Sequence, residues 1–301
     1  MNTSDLELFL RTADNGSISR ASEQLDMTSA AASAALKRLE KQLDTQLFIR
    51  STRQLRITSE GERFLIYCRE ALAKLEAGCA SIHALEGKVA GELRISAPSD
   101  LGRNLILGWL DEIMEQHPDL SINLLLGDTL ADFYHDRVDL AIRYGNQEDS
   151  SMVAFELATI DRVLCASPSY IAKHGMPEQP SDLLNHNCLL FYLNNRVNNL
   201  WEFIETSDRD HKKIKVSVKS NRCANDGDVV RLWTISGKGI SYKSRLDMSE
   251  DLRAGRVVRI LPEYQSPSIA LNLMSPSRTQ ITPAVLLLRD MLRDRFAKLL
   301  N

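Results

Sequence analysis

Between Thr28 and Thr58 the chain carries Lys37, Arg38, Lys41, Arg50, Arg53 and Arg56 against only Glu40 and Asp44. A cluster of cations in so short a stretch is suited to a nucleic-acid backbone, where each Lys or Arg that meets a phosphate releases condensed counterions. The patch is local. Residues 1–27 have the opposite balance, with Arg11 and Arg20 against Asp5, Glu7, Asp14, Glu23 and Asp26, and the 301-residue chain has a formal net charge of −3. A nucleic-acid reading therefore rests on this focused surface and not on net charge. The plain alternative is a helical subdomain with a solvated basic face, which is what charge runs usually are.

The elements that would position those cations are legible in the spacing. Thr28 is a natural N-cap, and Ala32, Ala35, Leu36, Leu39 and Leu43 follow at i, i+3, i+4, i+7 and i+11, the repeat of one buried helix face. On the other faces Ser29, Ala30, Ser33 and Ala34 are small enough to let a backbone approach base edges, with Lys37, Arg38 and Lys41 a turn or two later to meet phosphates. Two shorter helices precede this one. Leu6, Phe9, Leu10 and Ala13 make one stripe; Ile18, Ala21, Ser22 and Leu25 make the other, with Ser17 as its cap after Asn15-Gly16. Three short helices with tight turns predict a helix-turn-helix whose third helix is the reader. Leu55 and Ile57 then alternate with Arg53, Arg56 and Thr58, the pattern of a two-stranded ribbon with arginines at its tip.

The order and spacing of Leu6 to Ala13, Gly16-Ser17-Ile18-Ser19-Arg20-Ala21-Ser22, Thr28 to Ser33, Leu39-Glu40, Leu47-Phe48-Ile49-Arg50 and Thr58-Ser59-Glu60-Gly61 resemble the DNA-binding domain of LysR-type transcriptional regulators. The resemblance implies a winged helix-turn-helix over residues 1–58, with Ser17, Thr28, Ser29, Ala30, Ser33, Lys37, Arg38, Arg50 and Arg53 at double-stranded promoter DNA. This chain departs from the family pattern at Ser29-Ala30 and Ala34, which supply no amide for adenine and no extra cation, so shape readout gains weight over base readout.

A long helix follows. Phe64, Cys68, Ala71, Leu75, Gly78, Ile82, Leu85 and Val89 recur at alternating steps of four and three, and Ser59 with Glu62 suggests a capping box at its start. Residues 59–90 are read as a linker whose seam pairs with a second copy of the chain, the alternative being that it packs on its own domains. The resemblance implies the same role, a homodimer through residues 59–89, with pairing into tetramers as the further expectation. No stretch has the length and apolarity of a bilayer span and the start lacks a secretory signal pattern, so a cytoplasmic protein is expected. Cys68, Cys79, Cys165, Cys188 and Cys223 show no paired short spacing, against both a zinc site and a disulfide framework. Thiol sensing by Cys188 and Cys223 is the sharper reading of these cysteines, and packing as small hydrophobes the plainer one.

From Gly91 onward short strands alternate with helices: strands at Leu93 to Ala97, Ser121 to Leu126, Val138 to Tyr144 and Val163 to Ser167, further strand signals to Met274, and a last helix from Pro283 to Leu300. The pattern predicts an α/β domain, residues 91–301, with mainly parallel sheets in two subdomains, 91–161 with 266–301 and 162–265. It resembles the effector-binding domain of the same family, similar to periplasmic solute-binding proteins, through Gly91-Glu-Leu-Arg-Ile95, Asp139-Leu-Ala-Ile-Arg143, Ala166-Ser-Pro-Ser-Tyr170, Asn225-Asp-Gly227 and Gly237-Lys-Gly-Ile240. Ligands of open α/β sheets sit beyond the carboxyl ends of strands. That rule and the resemblance together nominate Ser99, Asp100, Thr129, Tyr144, Asn225 and Asp226, with a small carboxylate or aromatic metabolite as the implied effector. Ser99 has helix capping as its alternative role, as do Asp100 and Asp128. The six histidines are scattered without metal-ligand spacing, Gly237-Lys238-Gly239 lacks the rest of a phosphate loop, and there is no Gly-x-Ser-x-Gly elbow. No metal, cofactor or catalytic residue is therefore expected. A ligand-responsive regulator leads, ahead of a small-molecule binding protein whose N-terminal helices serve assembly, and of an enzyme with an appended helical domain.

Overall fold

The computed structural model describes residues 1–50, 55–85, 89–128, 138–145, 152–193, 196–206 and 213–300. They form two compact units, Met1–Glu86 and Gly87–Asn301.

The first unit runs α1 (Thr3–Asn15), α2 (Ile18–Gln24), α3 (Ser29–Gln42), β1 (Phe48–Arg50), β2 (Leu55–Ile57) and α4 (Ser59–Leu85). Each of its short helices opens on a side-chain cap that satisfies a backbone donor the helix itself cannot. Asn2 accepts from the Asp5 amide at 2.7 Å, Ser17 from Arg20 at 3.4 Å and Thr28 from Ala31 at 3.2 Å. The chain reverses at Gly16, Asp26 and Asp44, whose φ angles of 58°, 51° and 47° lie in the left-handed region. α4 is capped by Thr58 and not by the Ser59/Glu62 box that the sequence suggests. The Thr58 hydroxyl donates to the Gln46 carbonyl at 2.8 Å and accepts from the Gly61 amide at 2.9 Å, so one residue ends the ribbon and starts the helix. Ser59 instead donates to Glu60 at 3.0 Å.

Apolar stripes of α1, α2 and α3 close on a core in which the Phe9 ring lies 5.4 Å from Phe48 and 5.5 Å from Phe64. The first turns of α4 join that core through Phe64, Leu65, Cys68 and Leu72. Two residues of the expected seam, Phe64 and Cys68, are thus engaged within their own chain, while Tyr67, Ala71, Leu75 and Gly78 remain exposed. Gly61 permits the close approach: a Cβ there would fall 2.4 Å from the Leu47 carbonyl oxygen and 2.7 Å from Ile57 Cγ1.

The second unit holds two α/β subdomains. In the first, β3 (Gly91–Ala97), β4 (Leu120–Leu126), β5 (Leu140–Tyr144) and β6 (Val153–Ile160) are joined late by β16 (Ile269–Ser275), in the order β4-β3-β5-β16-β6. After β3 comes α5 (Ser99–Leu101), which passes through a π-helical turn, Gly102–Ile106, into α6 (Leu107–Gln116). In the second subdomain, β7 (Arg162–Ala166), α7 (Pro168–His174), β8 (Cys188–Leu193), β9 (Arg196–Val197), β10 (Leu200–Glu205), β11 (Lys213–Ser217), β12 (Cys223–Ala224), α8 (Gly227–Ile235), β13 (Ile240–Ser244), α9 (Ser249–Arg253), β14 (Val258–Ile260) and β15 (Tyr264–Gln265) build two sheets. Their orders are β12-β8-β13-β7-β14, with β9 beside β8, and β11-β10-β15. α10 (Pro283–Leu300) ends the described chain, its Phe296 edge-on to Trp109 at 5.1 Å.

The sheets are mixed where the sequence suggests mainly parallel ones. β3 is parallel to β4 and β5, and β8 to β12 and β13, but β16 runs antiparallel to β5 and β6, and β7 to β13 and β14. The reason is the crossing between subdomains. β6 passes through Asp161 straight into β7, and β16 returns after Gln265, so these strands lack the crossover helix that imposes parallel pairing. Two main cores result, one around Ile95, Ile106, Leu140, Leu273 and Phe296, the other around Leu164, Leu190, Trp201, Phe203 and Ile240. Among the described residues no helix is long and apolar enough to cross a membrane.

Candidate nucleic-acid surface and ligand cleft

α3 is divided cleanly between packing and presentation. Ala32, Ala35, Leu36 and Leu39 are buried, whereas Thr28, Ser29, Ala30 and Lys37 are exposed and Ser33 is half-buried. Ser22 and Ser29 bring their hydroxyls to 3.3 Å, tying α2 to the start of α3, and half-buried Ser17 caps α2. Arg38 is committed differently from Lys37. It forks onto the buried Asp5 carboxylate, with Nε 3.3 Å from Oδ2 and a second nitrogen on Oδ1, which fastens α3 to α1.

Glu40 counts against the patch in the sequence, yet its carboxylate points at the wing and accepts from the Leu47 and Phe48 amides at 2.9 and 3.2 Å. It therefore sets where the ribbon leaves α3. Arg69 pairs with Asp14 at 2.6 Å and fixes α4 to α1. Arg50 ends β1, Arg56 is exposed on β2 opposite Ile49, and Arg53 lies outside the described residues.

In the second unit a cavity of about 130 Å³ opens where the subdomains meet, at the carboxyl end of β3, the strand flanked by β4 and β5. A cavity of roughly 150 Å³ admits a benzene ring, so the space suits a small metabolite. Its floor is a buried charge cluster. The Lys243 ammonium lies 2.7 Å from Asp100 and 3.4 Å from Asp247, and donates to the Gly227 carbonyl at 2.9 Å. The Tyr144 hydroxyl donates to Asp247 at 2.9 Å.

Burial pushes the Asp100 carboxyl up to about 7, against the pull of Lys243 and helped by the charge of Asp247. Burial opposes the Lys243 ammonium, but Asp100 and then Asp247 outweigh it and hold its pKa above the ordinary lysine value. The Tyr144 phenol is pushed well above its usual value by burial and then by Asp247.

The wall beside this cluster is built by Ser99, Asp128 and Gly227. Asp128 accepts from the Ser99 amide at 2.9 Å, from the Ser99 hydroxyl and from the Gly227 amide at 2.9 Å, and Ser99 Oγ accepts from Gly227 as well. A Cβ on Gly227 would sit 3.2 Å from Lys243 Nζ and 3.5 Å from Asp100 Cβ, so only a bare backbone fits easily between the subdomains there. Asp226 caps α8, accepting from the Asp228 amide at 2.9 Å, and pairs with Arg103 at 3.0 Å.

Of the residues nominated from sequence, Asp100 and Tyr144 line the cavity. Ser99 and Asp226 shape its surroundings, with Asp128 holding the N-terminus of the α5 segment through the Ser99 amide. Asn225 is exposed and Thr129 lies outside the described residues. Sequence reasoning passed over Lys243, Asp247, Arg162, Trp201 and Tyr242, all of which line it. A signal was available: Lys243 and Asp247 stand at i and i+4 at the carboxyl end of the Ile240 strand, the place where the strand-end rule points. Burial pushes the Cys165 and Cys188 thiols up to about 12 and the Cys68 thiol to about 11, away from the thiolate form that oxidants attack.

Residues 3–62 match the family described as bacterial regulatory helix-turn-helix protein, lysR family, and residues 86–297 match the LysR substrate binding domain. The chain belongs to the LysR family. This LysR-type transcriptional regulator is 30% identical over 294 residues to the HTH-type transcriptional regulator DmlR of Escherichia coli K12, covering 98% of this chain and 94% of that one. It is also 30% identical over 266 residues to the transcriptional activator TtdR of the same strain, covering 88% and 84%. Among solved structures it is similar to the full-length Vibrio cholerae virulence activator AphB, with 27% identity, a TM-score of 0.59 and coverage of 97% and 98%. CrgA of Neisseria meningitidis, described as a LysR-type transcriptional regulator, gives 26% identity, a TM-score of 0.60 and full coverage of both chains, 100% and 100%. The two-part LysR architecture of a DNA-binding head and an effector-binding domain thus extends over nearly the whole chain.

Proposed function

We propose that the first unit holds promoter DNA with the exposed start of α3 and the arginine-bearing ribbon, and that a small molecule in the cleft of the second unit controls the outcome. The observation that carries this is the division of α3, whose buried stripe fixes the helix while Thr28, Ser29, Ala30 and Lys37 stay exposed on small or basic side chains. Ser17 and Thr28 present capped helix starts to phosphates, Ser29, Ala30 and Ser33 approach base edges, and Lys37, Arg50 and Arg53 meet the backbone. Arg38 acts from its place on Asp5, orienting α3 and offering its exposed side to DNA.

Residues 59–89 pair two chains through the face of Tyr67, Ala71, Leu75 and Gly78, which sets two heads on successive half-sites; dimers associate further into tetramers. The protein works in the cytoplasm, and it binds its effector and returns it unchanged, without catalysis. Asp100 and Tyr144 face the effector directly. Ser99 and Asp226 set the wall, and Thr129 and Asn225 belong to the flanking loops.

A band-shift series on upstream DNA with Lys37, Arg50 and Arg53 changed singly to Ala tests the head. Each substitution is expected to weaken binding and to flatten its salt dependence, since one phosphate fewer is neutralised and its counterion stays condensed on the duplex. Unchanged affinity and slope in all three variants would leave the N-terminal helices an assembly role only.

A further inference from the structure

Taking the cleft as the effector site, we propose that its ligand is a small zwitterion, carrying one ammonium and one carboxylate on an apolar or aromatic body. The argument starts from the charges that line the cavity, four carboxylates (Asp100, Asp128, Asp161, Asp247) and two cations (Arg162, Lys243). Several are already engaged. Asp128 serves Ser99 and Gly227, and Asp161 pairs with Arg245 at 2.8 Å.

Lys243 has three N–H donors, and three acceptors surround it: Asp100, Asp247 and the Gly227 carbonyl. Its charge is already matched within the protein by Asp100 and Asp247, so it offers a ligand carboxylate little net attraction. The same cluster sets two carboxyl groups around one ammonium in a buried place, and a ligand cation beside them would draw Asp100 into its ionised form, so a further cation or strong donor is favoured at that end and a further anion is repelled.

The opposite condition holds at Arg162. Its guanidinium lies 5.8 Å over the Tyr242 ring and has no carboxylate partner among the described residues. A planar fork on a rigid aromatic support, open toward the cavity, fits a ligand carboxylate bidentately. Between the two poles Phe191, Trp201 and Tyr242 supply apolar and aromatic walls. A lone carboxylate satisfies only the Arg162 end, and a lone amine only the Asp100/Asp247 end.

The test is thermal-shift and calorimetric titration of the full-length chain with the twenty standard amino acids and a matched aromatic set: phenylglycine, phenylacetate, which lacks its ammonium, and benzylamine, which lacks its carboxylate. At least one zwitterion is expected to raise the melting temperature and to bind at least about tenfold more tightly than either singly charged counterpart, the scale of one lost charged hydrogen bond. Arg162→Gln should cost about tenfold for the zwitterion and leave a bare amine unaffected. Asp247→Asn, which keeps the hydrogen-bond geometry, should lower the preference for an ammonium.

A response to carboxylates or to amines alone overturns the zwitterion assignment while leaving the cleft a ligand site. A zwitterion response that survives both substitutions places binding elsewhere and overturns the cleft reading too, as does no response to any probe.

Discussion

The Lys243 ammonium at the end of β13 lies 2.7 Å from the Asp100 carboxylate after β3, so a buried ion pair joins one subdomain of the effector domain to the other. Pairs of this kind hold little net stability when complete, because desolvation offsets attraction, but they are costly to break from one side. Arg103 with Asp226, Asn104 with Asp228, and Tyr144 with Asp247 add further bonds across the same junction. Closure of the cleft is thus fastened at the carboxyl end of β3, where the cavity opens.

Lys243→Met leaves Asp100 and Asp247 as adjacent buried carboxylates. A loss of about 3–5 kcal/mol in the urea unfolding of the full chain is expected, and adding Asp100→Asn and Asp247→Asn should restore part of it. A full loss in the triple variant would show that stranded carboxylates are not the source of the cost.

Stability should depend on pH through Asp100. Its carboxyl is raised from 3.8 to about 7 in the folded chain, so the folded state binds this proton more tightly than the unfolded state. The stabilisation from protonated Asp100 is fully present below about 4 and is lost as pH rises through about 7. Melting curves from pH 4 to 8 should show that fall in the natural chain and a flatter profile in Asp100→Asn. Parallel profiles would rule the carboxyl out as the source.

Gly61→Ala is expected to destabilise the DNA-binding head by about 1–3 kcal/mol, the usual cost of overpacking. The new methyl would meet the Leu47 carbonyl oxygen, which belongs to the backbone and cannot swing away, at 2.4 Å. Urea unfolding followed by far-UV dichroism reads the effect.

Lys37→Ala and Arg38→Ala should differ although the residues are neighbours. Exposed Lys37 contributes charge only, so its removal is expected to reduce the salt slope of DNA binding by about 0.9 and leave the melting temperature unchanged. Arg38→Ala also strands buried Asp5, so its melting temperature should fall as well. Equal melting temperatures would show the Asp5 pair to be energetically silent.

The helices of the head were readable because each carries its own cap and stripe: Ser17 with Ile18 and Ala21, and Thr28 with Ala32, Ala35, Leu36 and Leu39, are local patterns set by a 3.6-residue repeat. α10 was readable as an apolar run after Pro283. Direction within the sheets was not, because whether β16 runs with or against β5 depends on where a distant segment returns. The Thr58 cap was missed for a related reason: its hydroxyl serves Gln46 and Gly61 at once, and only the folded ribbon brings Gln46 there.

Local chemistry in the sequence determined the winged head, the long helix after it and an α/β domain behind, since caps, periodicity and turn residues act over a few residues. Tertiary structure decided which charges are free to act. Arg38 and Lys37 look alike in the chain, yet one is held by Asp5, which lies 33 residues away, and the other faces outward. Lys243 looks like a surface lysine until folding brings Asp100 to it from the other subdomain. Electrostatic roles depend on distance and burial in space, and neither is a property of sequence neighbours.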